Sequence, residues 1–229
     1  MSQMIEFTRP DGKTSPAYLS EAQVGDPAKA PGLVLIQEWW GLSEHIKQVA
    51  DRFAAAGFNT LAPDLYRGRL ASDTDEARHL MTGLDFADAT FQDLQGATQY
   101  LAARSGKVGV LGFCMGGALT VAAAVHVKGL SAAVCFYGIP PAEFANPAQI
   151  KIPFQGHFAM HDDWCTPAAV KSLTETMRKA GQHPVIYAYA ADHAFFNNGR
   201  PEVYNETCAR QAFERSTGFL RQELARSGT

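Results

Sequence analysis

The 229-residue sequence lacks any hydrophobic run of the about 18 residues that a membrane-spanning helix needs. Its opening stretch, MSQMIEFTRPDG, has no apolar core of the kind found in secretory signal peptides. The formal net charge is −3 and the sequence has no basic block, which argues against nucleic acid or an anionic lipid surface as a partner. These absences predict no membrane partner, no nucleic-acid partner and a cytoplasmic location.

Cysteine is also scarce, with four residues at positions 114, 135, 165 and 208 and no C-x-x-C spacing. This pattern argues against a metal cluster and against a small secreted fold held by disulfides. We therefore predict that the protein needs no metal and no organic cofactor. Hydrophobic residues make up 46% and charged residues 19% of the chain. This composition predicts a sizeable core and favours a single domain that spans residues 1–229.

Apolar runs that suit buried strands alternate with amphipathic stretches that suit helices. Strands are predicted near residues 33–37, 59–62, 108–111, 132–137, 153–160 and 185–189, and helices over 44–56, 74–84, 86–104, 118–125, 167–180 and 202–224. The turn-rich link PDGKTSP predicts an antiparallel hairpin near the N-terminus. The alternation indicates an α/β fold, with a mostly parallel central sheet and helices on both faces. Reactive groups gather at the carboxyl ends of strands in such sheets.

Residues 108–117, VGVLGFCMGG, carry the most informative pattern in the chain. A short apolar strand runs into G-x-C-x-G and then into an alanine-rich helix. This is the nucleophile-elbow pattern of α/β-hydrolases, with cysteine in the position usually held by serine. Cys114 would lie at a helix N-terminus, where backbone N–H groups favour a thiolate. The alternative is that Cys114 is a small buried core residue.

A nucleophile of this kind needs a base and an acid. His193 follows a strand, lies in a late loop and precedes the last helix, which is where the base of this arrangement belongs. His157 and His161 are its rivals within the acid's segment. HDDWCTP offers Asp162 and Asp163, and the D-x-x-x-P spacing favours Asp163. Either aspartate could instead cap the helix that follows.

The chain resembles the dienelactone hydrolase family, also called carboxymethylenebutenolidases. The resemblance rests on QEWWGL, APDLYRG, KVGVLGFCMGGAL, the D-W-C-T-P segment and ADHAFF, and it extends from about residue 33 to the end. It implies an α/β-hydrolase fold and a catalytic triad of Cys114, His193 and Asp163. It also implies that Cys114 attacks a small lactone or activated ester and forms an acyl-thioester.

The same resemblance assigns roles to the loop after the first buried strand. The oxyanion hole would be formed by the backbone N–H groups of Trp39 and Met115. Glu38 would pair with the resting thiol and gate its ionisation. A carboxylate beside two tryptophans is poorly solvated, and desolvation and a nearby thiolate would both raise its pKa. The alternative is that Glu38 is hydrogen-bonded to the loop backbone.

Substrate binding is where the chain departs from the family pattern. Family members that act on dienelactone hold its carboxylate with arginines, one of them four residues after the catalytic histidine. That position is Asn197 here, and Arg200 follows three residues later. Arg78 is the nearest counterpart of the second arginine. Tyr137 and Trp164 are candidates for an apolar pocket wall, although aromatic residues are also ordinary core.

Three other functions are compatible with these motifs. The first keeps the machinery and changes the substrate to a simple carboxylic ester or a thioester. The second is a non-catalytic small-molecule receptor on the same fold, which predicts a broken triad. The third is a thiol sensor in which Cys114 is reversibly modified without turnover.

Overall fold

The computed structural model describes residues 1–225, whose strands form one eight-stranded sheet in the order β1-β2-β4-β3-β5-β6-β7-β8. The strands β1 and β2 pair antiparallel, as do β2 and β4, and the remaining neighbours pair parallel. The mostly parallel sheet and the N-terminal hairpin predicted from the sequence are thus confirmed. The strand bounds are β1 (Ser2–Thr8), β2 (Thr14–Ser20), β3 (Gly32–Ile36), β4 (Asn59–Pro63), β5 (Val108–Phe113), β6 (Leu130–Phe136), β7 (Phe154–His161) and β8 (Val185–Asp192).

Helices cover both faces of this sheet, because alternate residues of its buried strands are apolar on both sides. Val34 and Ile36 belong to one core cluster and Leu33 and Leu35 to the other. Of the helices among residues 1–225, none combines the length and apolar character needed to cross a bilayer. The helix bounds are α1 (Glu44–Ala55), α2 (Thr74–Gly83), α3 (Phe86–Asp88), α4 (Gln95–Ala102), α5 (Met115–His126), α6 (Pro167–Lys179) and α7 (Glu206–Leu224).

The helix predicted over residues 86–104 differs in its interior. A π-helical segment, Ala89–Leu94, separates α3 from α4. Within it the buried carboxylate of Asp93 accepts two hydrogen bonds from Arg67 at 2.8 Å and one from Arg9 at 3.3 Å. A buried carboxylate needs such partners, and hydrophobic periodicity alone does not reveal them.

The last helix begins at Glu206 and not at residue 202. The Asn205 side chain accepts a hydrogen bond from the backbone N–H of Cys208 at 3.0 Å and so caps α7. Asparagine is among the preferred residues at this position because its side chain satisfies an otherwise unpaired N–H group. The preceding residues therefore remain in the loop that follows His193.

His157 lies buried on β7, against the face of the sheet that carries α7. Its ring stacks on Phe136 with centroids 4.5 Å apart, and its Nδ1 accepts from the Tyr189 hydroxyl at 2.8 Å. Its Nε2 lies 2.9 Å from Gln155 Oε1 and 3.0 Å from Ser216 Oγ. Burial and the charge of Arg215 lower the pKa of His157 from 6.5 to about 3, so the folded protein holds the ring neutral.

This histidine predicts a measurable acid sensitivity. Between pH 6.5 and about pH 3 the unfolded chain binds a proton at His157 that the folded chain does not, so acidification favours unfolding. We expect the free energy of unfolding of the wild type to fall by about 3 kcal/mol more than that of His157→Gln between pH 6.5 and pH 4. Urea unfolding at several pH values measures the difference, and parallel pH curves for the two proteins would contradict it.

Candidate active site

The turn between β5 and α5 holds Cys114 in a strained backbone conformation, with φ 55° and ψ −116°. Its N–H donates to the carbonyl oxygen of Phe136 at 3.0 Å, and its carbonyl oxygen accepts from Ala118 N at 3.0 Å. These bonds tie the turn to the end of β6 and to the first turn of α5. Such a turn presents the side chain at the carboxyl edge of the sheet, as the elbow pattern predicts.

Three glycines allow this turn, because their surroundings leave no room for a side chain. A Cβ atom on Gly116 would lie 2.5 Å from the carbonyl oxygens of Ile36 and Gln37. On Gly117 it would lie 2.2 Å from the Phe136 carbonyl oxygen, and on Gly112 it would lie 2.1 Å from the Gly116 carbonyl oxygen. The elbow glycines thus let α5 approach the ends of β3 and β6 closely.

His193 follows β8 directly and bonds to a buried aspartate. Its Nδ1 lies 2.7 Å from Oδ2 of Asp162, the residue that follows β7. The other oxygen of Asp162, Oδ1, accepts from the backbone N–H groups of Trp164 and Cys165, both at 2.8 Å. The carboxylate is therefore fixed by three hydrogen bonds, one of which orients the imidazole.

The choice of Asp163 as the acid partner of His193 is wrong. Asp163 is exposed, whereas Asp162 is buried and carries the hydrogen bond to the histidine. The strand register explains the difference. The strands β7 and β8 pair His161 with Asp192, their last residues, so that Asp162 and His193, which follow them, lie side by side. The D-x-x-x-P spacing located the segment correctly but carried no information about this register.

The ionisation of His193 and Asp162 follows from their contacts. Burial alone would lower the pKa of His193, but the hydrogen bond to Asp162 and the proximity of Cys114 raise it to about 10. Burial would raise the pKa of the Asp162 carboxyl, but the hydrogen bond and charge of His193 and the two backbone donors hold it below its ordinary value. This arrangement favours an imidazolium at His193 beside the ionised Asp162 carboxylate.

Glu38 is buried beside this group. Desolvation raises the pKa of its carboxyl to about 7, against the lowering effect of Asn197, His193 and Arg200. Burial raises this pKa as predicted, whereas Cys114 is not among the groups that act on it, and among residues 1–225 Glu38 does not pair with the thiol. Its Oε2 accepts a hydrogen bond from Nδ2 of Asn197, and its Oε1 has no hydrogen-bond partner among residues 1–225. The Glu38 carboxyl is thus held by a side chain and not by the loop backbone.

Two backbone N–H groups, those of Trp39 and Met115, are predicted to form the oxyanion hole. Met115 is the first residue of α5, and Trp39 lies in the loop after β3. Within residues 1–225, neither N–H group donates a hydrogen bond to another backbone group. The first N–H groups of a helix have no partner inside the helix. The Tyr66 hydroxyl lies 3.3 Å from the Met115 sulfur and packs this side of the turn.

A model of the Dienelactone hydrolase family matches residues 17–224. The chain belongs to the dienelactone hydrolase family. "Protein usf" of Aquifex pyrophilus is 33% identical, over 98% of this chain and 100% of its own. "Putative carboxymethylenebutenolidase" of Aquifex aeolicus (strain VF5) is 31% identical, over 98% and 100%. The crystal structure of "Putative Dienelactone Hydrolase" from Klebsiella pneumoniae superimposes with a TM-score of 0.85 at 25% identity, over 99% of each chain.

Of the residues predicted to bind substrate, Tyr137 and Trp164 lie beside His193, whereas Arg78 does not contact this group. The Tyr137 ring lies 5.0 Å from the His193 ring between centroids. Trp164 is 63% exposed and lies 6.4 Å from His193 and 6.0 Å from Trp39. Both aromatic residues therefore border the reactive group. Arg78, in contrast, is exposed on α2 and forms an ion pair with Asp75 at 3.7 Å.

Asn197, also predicted to bind substrate, is instead bonded to Glu38. Its amide is buried and occupied, with Nδ2 donating to Glu38 and Oδ1 accepting from the Gly199 N–H at 2.9 Å. It is hydrogen-bonded to Glu38 and to the loop backbone and is 3% exposed, so it presents little surface to a substrate. Among residues 1–225, no group of three or more His, Cys, Asp and Glu side chains is arranged to hold a metal ion.

The contacts between the family motifs were missed at the level of sequence. Gln37 Oε1 accepts from Leu65 N at 3.2 Å, which links the QEWWGL and APDLYRG loops. Trp40 O accepts from Ala71 N at 3.0 Å and strengthens the link. The only signal for these contacts in the sequence is that polar Gln37 directly follows a fully apolar strand, where a buried amide needs partners.

The two neighbouring aspartates allow a matched test. We expect Asp162→Asn to lower kcat about a thousandfold or more, because an amide in this position favours the wrong imidazole tautomer and removes the charge that stabilises the imidazolium. Asp163→Asn should leave kcat within about twofold, since this side chain is exposed. Initial rates of ester hydrolysis and thermal unfolding of both variants measure this. A larger loss of kcat in Asp163→Asn would contradict the assignment.

Proposed function

We propose that the protein hydrolyses a small lactone or activated ester with Cys114 as nucleophile, His193 as general acid and base, and Asp162 as the residue that orients His193. The observation that carries the proposal is the 2.7 Å hydrogen bond between His193 and the buried Asp162, with Cys114 close enough to His193 to raise its pKa. Nucleophile, base and orienting acid in contact are what acyl transfer by a triad requires. Free thiols in this role are compatible with the reducing cytoplasm.

In the first half of the reaction the Cys114 thiolate attacks the carbonyl carbon, and a C–S bond forms. The carbonyl electron pair moves onto oxygen, where the N–H groups of Trp39 and Met115 would donate to the oxyanion. When the tetrahedral intermediate collapses, the C–O bond to the alcohol breaks and His193 donates its proton to the leaving oxygen. With a lactone, no alcohol leaves at this step, because the new hydroxyl group remains part of the acyl chain bound to Cys114.

In the second half of the reaction, the same residues remove the acyl group from Cys114. His193, now neutral, takes a proton from a water molecule, and the resulting hydroxide attacks the thioester carbonyl. The C–S bond breaks, the thiolate returns to Cys114 and the acid product leaves. Asp162 stabilises the imidazolium each time that it forms and remains ionised throughout.

Glu38 is proposed to gate the thiol. Its carboxyl has a pKa of about 7, so both its forms are populated near neutral pH. A protonated Glu38 beside the resting thiol and an ionised one during the reaction would let substrate binding control when the thiolate forms. In this structure the carboxyl is bonded to Asn197, which holds it beside His193.

Trapping of the acyl-enzyme tests the nucleophile. The protein is mixed with p-nitrophenyl acetate, quenched in acid at short times, digested and examined by mass spectrometry. We expect an acetyl group on Cys114 and none on the peptide of Cys114→Ala, with Cys208 as the unreacted internal thiol. Turnover that persists in Cys114→Ala would contradict the mechanism. An adduct without turnover would favour the thiol-sensor function.

Replacement of Glu38 tests the gating role. We expect Glu38→Gln to lower kcat about tenfold or more and to remove an ionisation near pH 7 from the pH profile of kcat/KM. Glu44→Gln, the same change at an exposed position of α1, is the control and should behave as wild type. Normal turnover in a folded Glu38→Gln variant would exclude the gating role.

A substrate panel separates the two hydrolase functions. Dienelactone and a series of p-nitrophenyl esters, compared by kcat/KM, distinguish a lactonase from a simple carboxylesterase or thioesterase. The family supports a small ester or lactone as substrate, while the missing arginine at position 197 argues that the dienelactone carboxylate itself is not the feature recognised.

A further inference from the structure

Two carboxyl groups lie beside the Cys114–His193 pair, and only one of them has its charge balanced. Asp162 is bonded to His193 at 2.7 Å and to two backbone N–H groups. Glu38 receives one hydrogen bond, from Asn197, and its Oε1 has no partner among residues 1–225 although the side chain is 1% exposed. An ionised Glu38 therefore contributes a negative charge that its direct partner does not neutralise.

Asn197 leaves the charge of Glu38 uncompensated, because its amide is neutral and its orientation is fixed. Oδ1 accepts from the Gly199 N–H at 2.9 Å, so Nδ2 is the atom that faces Glu38. The residue is 3% exposed, which leaves little space for the amide to reorient. Glu38 is held in place by a dipole without gaining a counter-charge.

The positive charges that act on Glu38 are those of His193 and Arg200, and each is already engaged by an anion. His193 is bonded to Asp162. The Arg200 Nε donates to Glu202 at 2.8 Å, and its guanidinium lies 5.5 Å from the centre of the Trp40 ring. A carboxylate entering beside Glu38 would meet a like charge, and Glu202 already offsets the charge of the nearest guanidinium, that of Arg200, which costs binding energy.

We propose that the enzyme takes esters and lactones whose acyl part is uncharged, and that Asn197, by holding Glu38 without a counter-charge, sets this preference. The inference rests on the proposed function and names its substrate class. The surface beside His193 agrees with this preference, because the exposed Trp164 and the half-buried Trp39 present aromatic rings there. Aromatic walls with few polar groups suit an apolar acyl chain.

A pair of substrates that differ only in charge tests the preference in the unaltered protein. 4-Nitrophenyl methyl glutarate and 4-nitrophenyl hydrogen glutarate carry the same acyl chain, ending in a methyl ester or in a carboxylate. At pH 8, where Glu38 is mostly ionised, we expect kcat/KM to be about tenfold or more higher for the neutral ester. Equal values, or a preference for the carboxylate, would overturn the proposal.

Variants then test whether Asn197 and Glu38 set the preference for the uncharged ester. Asn197→Arg should narrow or invert the ratio of the two kcat/KM values, because its guanidinium supplies a charge beside Glu38. Asn198→Arg places the same charge one residue along, at an exposed position, and should keep the wild-type ratio. Glu38→Gln should also narrow the ratio, whatever its effect on kcat, and serves if Asn197→Arg does not fold. An unchanged ratio in Glu38→Gln would overturn the role of this charge.

Two further outcomes have distinct meanings. If Arg200→Gln abolishes hydrolysis of the carboxylate ester alone, Arg200 is a carboxylate anchor and the proposed preference is wrong. If neither ester is hydrolysed and neither acylates Cys114, the proposed function itself fails and the substrate class with it. Hydrolysis of both esters at equal rates with acyl-Cys114 present would leave the proposed function intact and reject only the preference for uncharged acyl groups.

Discussion

The close approach of α5 to the ends of β3 and β6 is the constraint on which the site depends. It requires glycine at positions 112, 116 and 117, where backbone carbonyl atoms occupy the space of a side chain. It also holds Cys114 at a φ of 55°, outside the regions that residues with a side chain prefer. The same approach sets the first turn of α5 against the carbonyl oxygens of Ile36 and Gln37, where the loop after β3 begins.

The loops around the thiol form a connected set. Gln37 joins the loop after β3 to the segment after β4, and Tyr66 of that segment contacts Met115 at the start of α5. Arg67, the next residue, is paired with the buried Asp93 of the π-helical segment. The elbow is thus supported by contacts with residues far along the chain.

The sequence predicted the parts of this site that depend on local backbone chemistry. The elbow and the place of His193 followed from glycine spacing and from the alternation of strands and helices. The choice between Asp162 and Asp163 depends on the register of β7 against β8, and a shift by one residue reverses which side chain faces inward. The bond between Asn197 and Glu38 joins residues 159 positions apart, so no local pattern could reveal it. The π-helical segment was hidden for a similar reason, because its buried ion pairs involve distant arginines.

Cys114, Tyr137 and Ala194 share one property, a positive φ at or just beyond the end of a parallel strand, with values of 55°, 36° and 65°. A side chain in such a conformation costs about 1–3 kcal/mol, and glycine would avoid this cost. All three border the reactive group, so selection for heat resistance and selection for turnover pull these positions in opposite directions. Adaptation to higher temperature in this chain has to be found elsewhere, in the outer helices and the N-terminal hairpin, where a stabilising change leaves the thiol undisturbed.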